Sequence, residues 1–416
     1  MIPNTTLRAN SGTVMPQGML GIALVLFLLQ CVFNPADRVF AFKVWLYLLC
    51  WGCLLLRLTQ LNFKILIPRG LFLYIVLFIG IPILSIINYV LFGSGPLDEA
   101  YNMLKAYLLI TFAPLLVLSR IDILPHLCAV LTLLAISIIS VFVILMWVKP
   151  EWIYFFKSFG EITGIIDTGL RDYGSEVRLL QIYFVSSPMI ALSIAYYFDR
   201  ACSASISRKR AGFWLLMIIN ALGMCLAGTR NNILVSFLLP IVLGTFYAKN
   251  FYFKYRVLIL VLAVAVLIAL LVFFANELGA FFDPLEESNR AKLGLINDYI
   301  RILSDPYTLI FGQGLGAYEY FVAKGSTYVS ELTYFEMIRN FGLPGALIIL
   351  VLLLFPIWYA FFKTTSDSQR VIAIGFSGYL VMCISNPTLF SSMGILLLCV
   401  ILARVYLPAS AVKTGG

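Results

Sequence analysis

Residues 70–92 read GLFLYIVLFIGIPILSIINYVLF, an apolar run without a single charge. A helix rises about 1.5 Å per residue, so a run of that length covers about 30 Å, the thickness of a bilayer's hydrocarbon core. Comparable runs recur near 16–33, 39–56, 100–118, 123–148, 178–198, 211–227, 232–248, 256–275, 336–360, 371–386 and 389–407. Hydrophobic residues make up 62% of the 416 and charged ones only 12%, so the chain as a whole belongs in lipid. In lipid the backbone must satisfy its own polar groups, which restricts spanning segments to helices or closed barrels. No period-two alternation suggests a barrel. The sequence therefore predicts an all-α integral membrane protein of about 12 transmembrane helices, one polytopic domain over 1–416.

Lys and Arg in the short loops orient the spans. One set of alternate loops carries Arg57, Lys64 and Arg69, then Arg120, Arg200, the cluster Arg208-Lys209-Arg210, Lys249, Lys254, Arg256, Lys363 and Arg370. Both termini, with Arg8, Arg404 and Lys413, fall on the same side, which is read as the cytoplasm. Residues 1–15 lack the pattern of a cleaved signal peptide, so the first span is expected to stay as an anchor. Residues 149–177, 228–231 and the long mixed-polarity stretch 276–335 then face outward, the last between spans 9 and 10. Most of the net charge of +9 reflects topology, so no nucleic-acid partner is inferred from it. The bilayer is the first partner.

Chemistry on the outer side must do without several common devices. The one histidine, His126, sits at the cytoplasmic start of a span, which rules out a Ser-His-Asp triad or a multi-His zinc site outside. The eight cysteines lie in or beside predicted spans, so no structural disulfide, metal or cofactor is expected. Acid–base work outside falls to carboxylates or tyrosine.

What remains outside is a set of positive charges that topology does not require: Arg171, Arg178, Arg230, Arg290, Arg301 and Arg339, with Lys149, Lys157 and Lys324. Arg230 lies in the turn Gly228-Thr229-Arg230-Asn231-Asn232 between two spans. A guanidinium fork is always charged and grips phosphate oxygens in pairs, so arginines converging at the membrane surface suit a lipid-borne diphosphate. The alternative is that each snorkels or pairs with a nearby acid. Arg171 and Arg178, seven apart, share a face only if that segment is helical.

Further on, Pro306 is followed by Phe311-Gly312-Gln313-Gly314-Leu315-Gly316, whose glycines permit a tight turn or close approach to a ligand. Next comes Ser330-Glu331-Leu332-Thr333-Tyr334-Phe335-Glu336, running through Arg339 and Gly342-Leu343-Pro344-Gly345 into a span. If this stretch is helical, Glu331, Tyr334 and Ile338 share a stripe, and Glu336 and Arg339 are spaced to pair.

The outward glycine-rich element, the polar position after it, the Gly-x-x-Gly in the next span and the earlier Gly-Thr-Arg-Asn turn together resemble the O-antigen polymerase and ligase superfamily. The motif resemblance covers about 210–350; the topological one covers the whole chain. It implies a GT-C-like membrane glycosyltransferase acting on undecaprenyl-diphosphate-linked oligosaccharides at the periplasmic face of a bacterial inner membrane, with neither nucleotide sugar nor metal. Partners implied are a chain-length regulator and a flippase of the same pathway. In the ligase branch His-Asn stands where this chain has Glu331-Leu332, which favours a polymerase. On that reading Glu331 is the base, Tyr334 a positioning residue, and Arg230 stabilises the leaving diphosphate. Arg171, Arg178, Arg290, Arg301, Arg339, Glu336 and Gly314 would complete the substrate site. A ligase and a lipid-linked oligosaccharide flippase are the alternative readings.

Overall fold

The structure, a computed structural model, describes residues 14–38, 42–60, 67–92, 97–172, 178–248, 287–322 and 325–407. It is mostly helical, 78%, with little sheet. Helices α1 (Val14–Phe33), α2 (Lys43–Gln60) and α3 (Arg69–Phe92) open the chain. Helices α4 (Asp98–Leu108) and α5 (Phe112–Ser119) run on through one 3-10 turn, and α6 (Leu124–Val143) continues as a wider turn to Val148. Among the described residues, six segments are long and apolar enough to cross a membrane: Arg69–Leu91, Asp98–Ser119, Leu124–Val148, Ser207–Leu226, Arg230–Tyr247 and Thr333–Phe362. Gly18–Phe33 and Ser392–Tyr406 are apolar but shorter. The run at 256–275 lies outside the described residues.

One expected span is different in kind. Residues 178–184, read as the start of a span over 178–198, form a strand. After α7 (Trp152–Thr163), β1 (Ile166–Asp172) and β2 (Arg178–Phe184) pair antiparallel, Ile166 opposite Phe184 and Asp172 opposite Arg178. Helix α8 follows as only 14 residues, Ile190–Ser203, buried continuously from Ile190 to Asp199. Buried along that length, it sits inside the bundle against α6, against α9 (Ser207–Leu226) and α10 (Arg230–Ala248), and against the helix over Asp367–Met382. Asn220 of α9, fully buried, fastens this core: it accepts from Ser193 of α8 at 2.6 Å and donates to Thr132 of α6 at 2.9 Å. Interhelical bonds between small polar side chains are a usual means of joining helices where water does not drive them together.

The remaining elements are α11 (Glu287–Leu303), α12 (Pro306–Phe311), the short pair β3 (Glu319–Phe321) and β4 (Gly325–Thr327), α13 (Thr333–Phe362), α14 (Asp367–Met382) and α15 (Ser392–Tyr406). Helix α13 is two helices meeting at Gly342, whose φ of 68° and ψ of 168° are not helical.

Contacts sort the loops into two ends. At one, Arg57 donates to the Ser119 carbonyl at 2.8 Å, Arg404 pairs with Asp122 at 3.5 Å, and Ser368 and Tyr247 donate to Asp199. This is the basic end. At the other, Lys43 donates to the Pro35 carbonyl at 2.7 Å, Ser186 to the Val32 carbonyl at 2.5 Å, and Asn88 to the Gly312 carbonyl at 2.9 Å. That loop end carries α7, the β1–β2 hairpin and the segment 287–332, which has its own small core of Leu295, Tyr299, Ile302, Phe321 and Leu332.

Candidate functional site

The turn between α9 and α10 is built around Gly228, at φ 75°; a Cβ there would come 3.0 Å from the Cα of Gln181, so the turn lies directly on strand β2. The Thr229 hydroxyl accepts from the Asn232 amide at 3.3 Å, capping α10. Arg230 is thus the first residue of a helix, where the dipole adds positive potential to its own charge. Its Nη1 donates to Asn289 Oδ1 on α11. The next two residues tie the turn down: Asn231 donates to Ser385 Oγ at 2.7 Å, and Asn232 to Ser187 Oγ at 2.8 Å.

Glu331 reaches the same region from the other side. Helix α13 begins at Thr333, so Glu331 precedes it, half-buried, and the helical stripe expected for Glu331, Tyr334 and Ile338 does not include it. Thr333 donates to the Asn386 carbonyl at 2.9 Å, and the Tyr334 hydroxyl to the Leu380 carbonyl at 2.9 Å, docking the helix on the end of α14. Tyr183 of β2 lies close by: burial first, then the neighbouring Cys383 and Glu331, hold its phenol well above the ordinary tyrosine range. The Arg230 turn and the Glu331 segment therefore rest on adjacent residues, Ser385 and Asn386, of one turn between α14 and α15.

Glu336 and Arg339 do pair, and the pair is internal. Arg339 is 0% exposed and uses every N–H of its guanidinium. Nε and Nη2 donate to the two Glu336 oxygens at 3.2 and 2.5 Å, Nη1 to Gln313 Oε1 at 3.1 Å and the Ala317 carbonyl at 2.8 Å, and Nη2 also to the Tyr328 carbonyl at 2.8 Å. Glu336 further accepts from Tyr299 at 2.5 Å and Asn340 at 3.3 Å. Burial and the Glu336 charge push the Tyr299 phenol far up. No donor of Arg339 is left for a ligand. The pair is a latch that fixes Gln313, Ala317, Tyr328 and, through Tyr299, α11 to the head of α13.

The glycine-rich element is part of the same latch. Gly312, Gly314 and Gly316 all have positive φ, at 76°, 96° and 85°. A Cβ on Gly314 would lie 2.5 Å from Tyr89 Cβ, and one on Gly316 2.6 Å from the Ala100 amide nitrogen. Gly314, read as a ligand-approach point, is buried against α3 instead. Opposite it, a Cβ on Gly342 would stand 2.1 Å from the Ile310 carbonyl oxygen, which does not yield as a flexible side chain would. Gly342→Ala is expected to lower stability by about 2–4 kcal/mol, from the clash and the left-handed backbone together. Thermal unfolding in detergent measures it, and an unchanged midpoint would refute the close packing.

The other arginines are dispersed. Arg301, 60% exposed on its side chain, lies 3.6 Å from Asp298 and 3.9 Å from Glu319 and donates to the Tyr320 carbonyl, within the 287–332 unit. Arg290 is exposed, one residue after the partner of Arg230. Arg171 pairs with Leu179 and Arg178 with Asp172 in the hairpin ladder, so helical spacing does not apply to them; their side chains lie outside the described residues. Among the described residues no group of three or more His, Cys, Asp or Glu is placed to hold a metal.

No protein-family model matches this chain, and no curated protein matches it. The site residues that sequence reading missed are Tyr183, Asn289, Ser385 and Asn386. Only the Ser385-Asn386-Pro387-Thr388 interruption between two apolar runs signals any of these positions, Ser385 and Asn386.

Proposed function

We propose that this protein is a membrane glycosyltransferase of the polysaccharide (O-antigen) polymerase type, with about 12 spans and a GT-C-like arrangement. On this reading the basic end is cytoplasmic and the loop end periplasmic, in a bacterial inner membrane, with both termini inside. The observation that carries the reading is the meeting of a helix-capping arginine turn and a carboxylate segment on one turn, Ser385-Asn386, at the end away from the basic loops.

The acceptor hydroxyl of a lipid-linked repeat unit attacks the anomeric carbon of the donor glycan. The new glycosidic C–O bond forms as the bond to the undecaprenyl diphosphate breaks, and the hydroxyl proton passes to Glu331. Arg230, at the positive end of α10, stabilises the charge developing on the leaving diphosphate. On this reading Arg290, one residue after Asn289, and Arg171 and Arg178, carried by the hairpin, are also assigned to the diphosphate. Arg339, Glu336 and Gly314 position Gln313–Ala317 and Tyr328 rather than touch substrate. Polymer formation from purified lipid-linked repeat units, in detergent without nucleotide or divalent metal, tests the reading. Transfer only to a lipid A-core acceptor would make the protein a ligase, and no transfer to either acceptor would remove the proposal.

Glu331→Gln keeps the shape and removes the basicity. It is expected to lower kcat by about 10²–10⁴ while leaving KM within about twofold. A normal rate in that variant would place the base elsewhere.

A further inference from the structure

The segment Leu124–Val148 ends in exposed Met146, Trp147 and Val148, and α7 starts only four residues later at Trp152. Four residue steps reach about 14 Å at most. The start of α7 is therefore held at the surface of whatever layer that segment crosses.

Helix α7 has three lengthwise stripes. Ile153, Phe156, Gly160 and Thr163 face the protein: a Cβ on Gly160 would overlap the Ile166 carbonyl oxygen of β1, and Thr168 donates to the Ile153 carbonyl at 3.4 Å. Lys157, Ser158 and Glu161 form a polar, exposed stripe. Between them, Trp152, Phe155, Phe159 and Ile162 recur at the same i, i+3, i+7, i+10 spacing and are 43%, 60%, 41% and 77% exposed. The Trp152–Phe155 and Phe155–Phe159 ring centroids are 6.3 and 6.4 Å apart, so the stripe is one apolar strip. A contiguous exposed apolar strip of this kind marks a surface that meets protein or lipid.

The same surface says what covers it. The strip starts four residues after the exposed apolar end of the preceding span, within reach of the same medium. Lys149 stands 5.3 Å over the Trp152 ring, placing a cation where lipid phosphates would be, while Lys157 lies on the polar face opposite the strip. Aromatic rings with flanking basic residues at the end of a span are the composition of a membrane–water interface.

We infer that α7 is an interfacial helix, its Trp152–Phe155–Phe159–Ile162 stripe seated in the boundary between lipid headgroups and acyl chains at the loop end of the bundle. The inference needs the chain to lie in a bilayer and does not depend on glycosyl transfer. Its consequence reaches the site. Helix α7 is joined to β1, β1 to β2, and Gln181 of β2 abuts Gly228 next to Arg230, so seating α7 sets the depth of the arginine turn relative to lipid phosphates.

The test uses full-length protein with the exposed thiol removed by Cys202→Ser, reconstituted in phosphatidylethanolamine–phosphatidylglycerol vesicles. Nitroxides are attached singly through Phe155→Cys, Phe159→Cys, Ile162→Cys, Ser158→Cys and Glu161→Cys, all at exposed positions. Collisions with oxygen, which partitions into lipid, are compared with collisions with a water-soluble nickel chelate. The oxygen-to-nickel ratio is expected to be about fivefold or more higher at 155, 159 and 162 than at 158 and 161. Equal ratios at all five sites would put the strip in water and overturn the inference. Protection of 155, 159 and 162 from both reagents would mean that protein covers the strip, and would overturn it equally.

Discussion

Arg339→Ala is expected to destabilise the protein by about 3–5 kcal/mol, a loss comparable to much of the stability of an ordinary domain. The substitution strands the Glu336 carboxylate, which is itself buried and accepts from two Arg339 nitrogens. It also releases Gln313 Oε1 and the Ala317 and Tyr328 carbonyls from their common donor. Arg339→Lys is expected to recover little, since a compact ammonium has three donors where five are used. Arg339→Met combined with Glu336→Leu should recover more than either single change, because the uncompensated charge is then gone. Thermal unfolding in detergent, followed by size exclusion, separates this from a substrate-binding role. A latch moves the midpoint with or without substrate, whereas a diphosphate ligand would leave the midpoint alone and slow turnover.

That latch was half legible in the sequence. The i, i+3 spacing of Glu336 and Arg339 indicates a pair, but nothing in a linear reading brings Gln313, Ala317 and Tyr328 to the same guanidinium. The long apolar runs could be read because hydrophobic length is a local property, and helices occupy the runs that fall within the described residues, save one. The exception is 178–198, where Arg-Leu-Leu-Gln-Ile-Tyr-Phe is apolar enough to extend a span but pairs with 166–172 as a strand. A short apolar run does not distinguish strand from buried helix by composition; its partner decides, and the partner here is a polar-looking segment, Ile166–Asp172. Glycines 312, 314 and 316 announce a special backbone, yet only the positions of Tyr89, Ala100 and Asn340 show that helices, rather than a ligand, approach them. Arg230 stands out in the sequence because its charge runs against the topology. Asn289, Ser385 and Asn386 carry no charge and so gave no such sign, although they hold the turns between which the proposed chemistry lies.

Arg230→Ala is expected to abolish polymer formation, a fall of about 10²–10³ or more in kcat, without lowering the amount of folded protein. The argument is electrostatic. A departing diphosphate gains negative charge as the glycosidic bond breaks, and a fixed cation at a helix N-terminus stabilises that charge more than it stabilises the bound ground state. Arg230 is half-buried and anchored by Asn289 on α11, so its direction is set before substrate arrives. Arg230→Lys keeps the charge and loses the planar fork, so activity should return only in part, with kcat still reduced about tenfold. Asn289→Ala removes one anchor of the guanidinium, and a loss of about tenfold in kcat/KM is expected, smaller than that of Arg230→Ala. The thermal midpoint of each variant, measured beside its rate on purified lipid-linked repeat units, distinguishes a charge that acts on the substrate from one that braces the turn. If Arg230→Ala polymerises at the normal rate with an unchanged midpoint, the leaving group is stabilised by other residues and the site assigned to the Ser385-Asn386 turn is wrong.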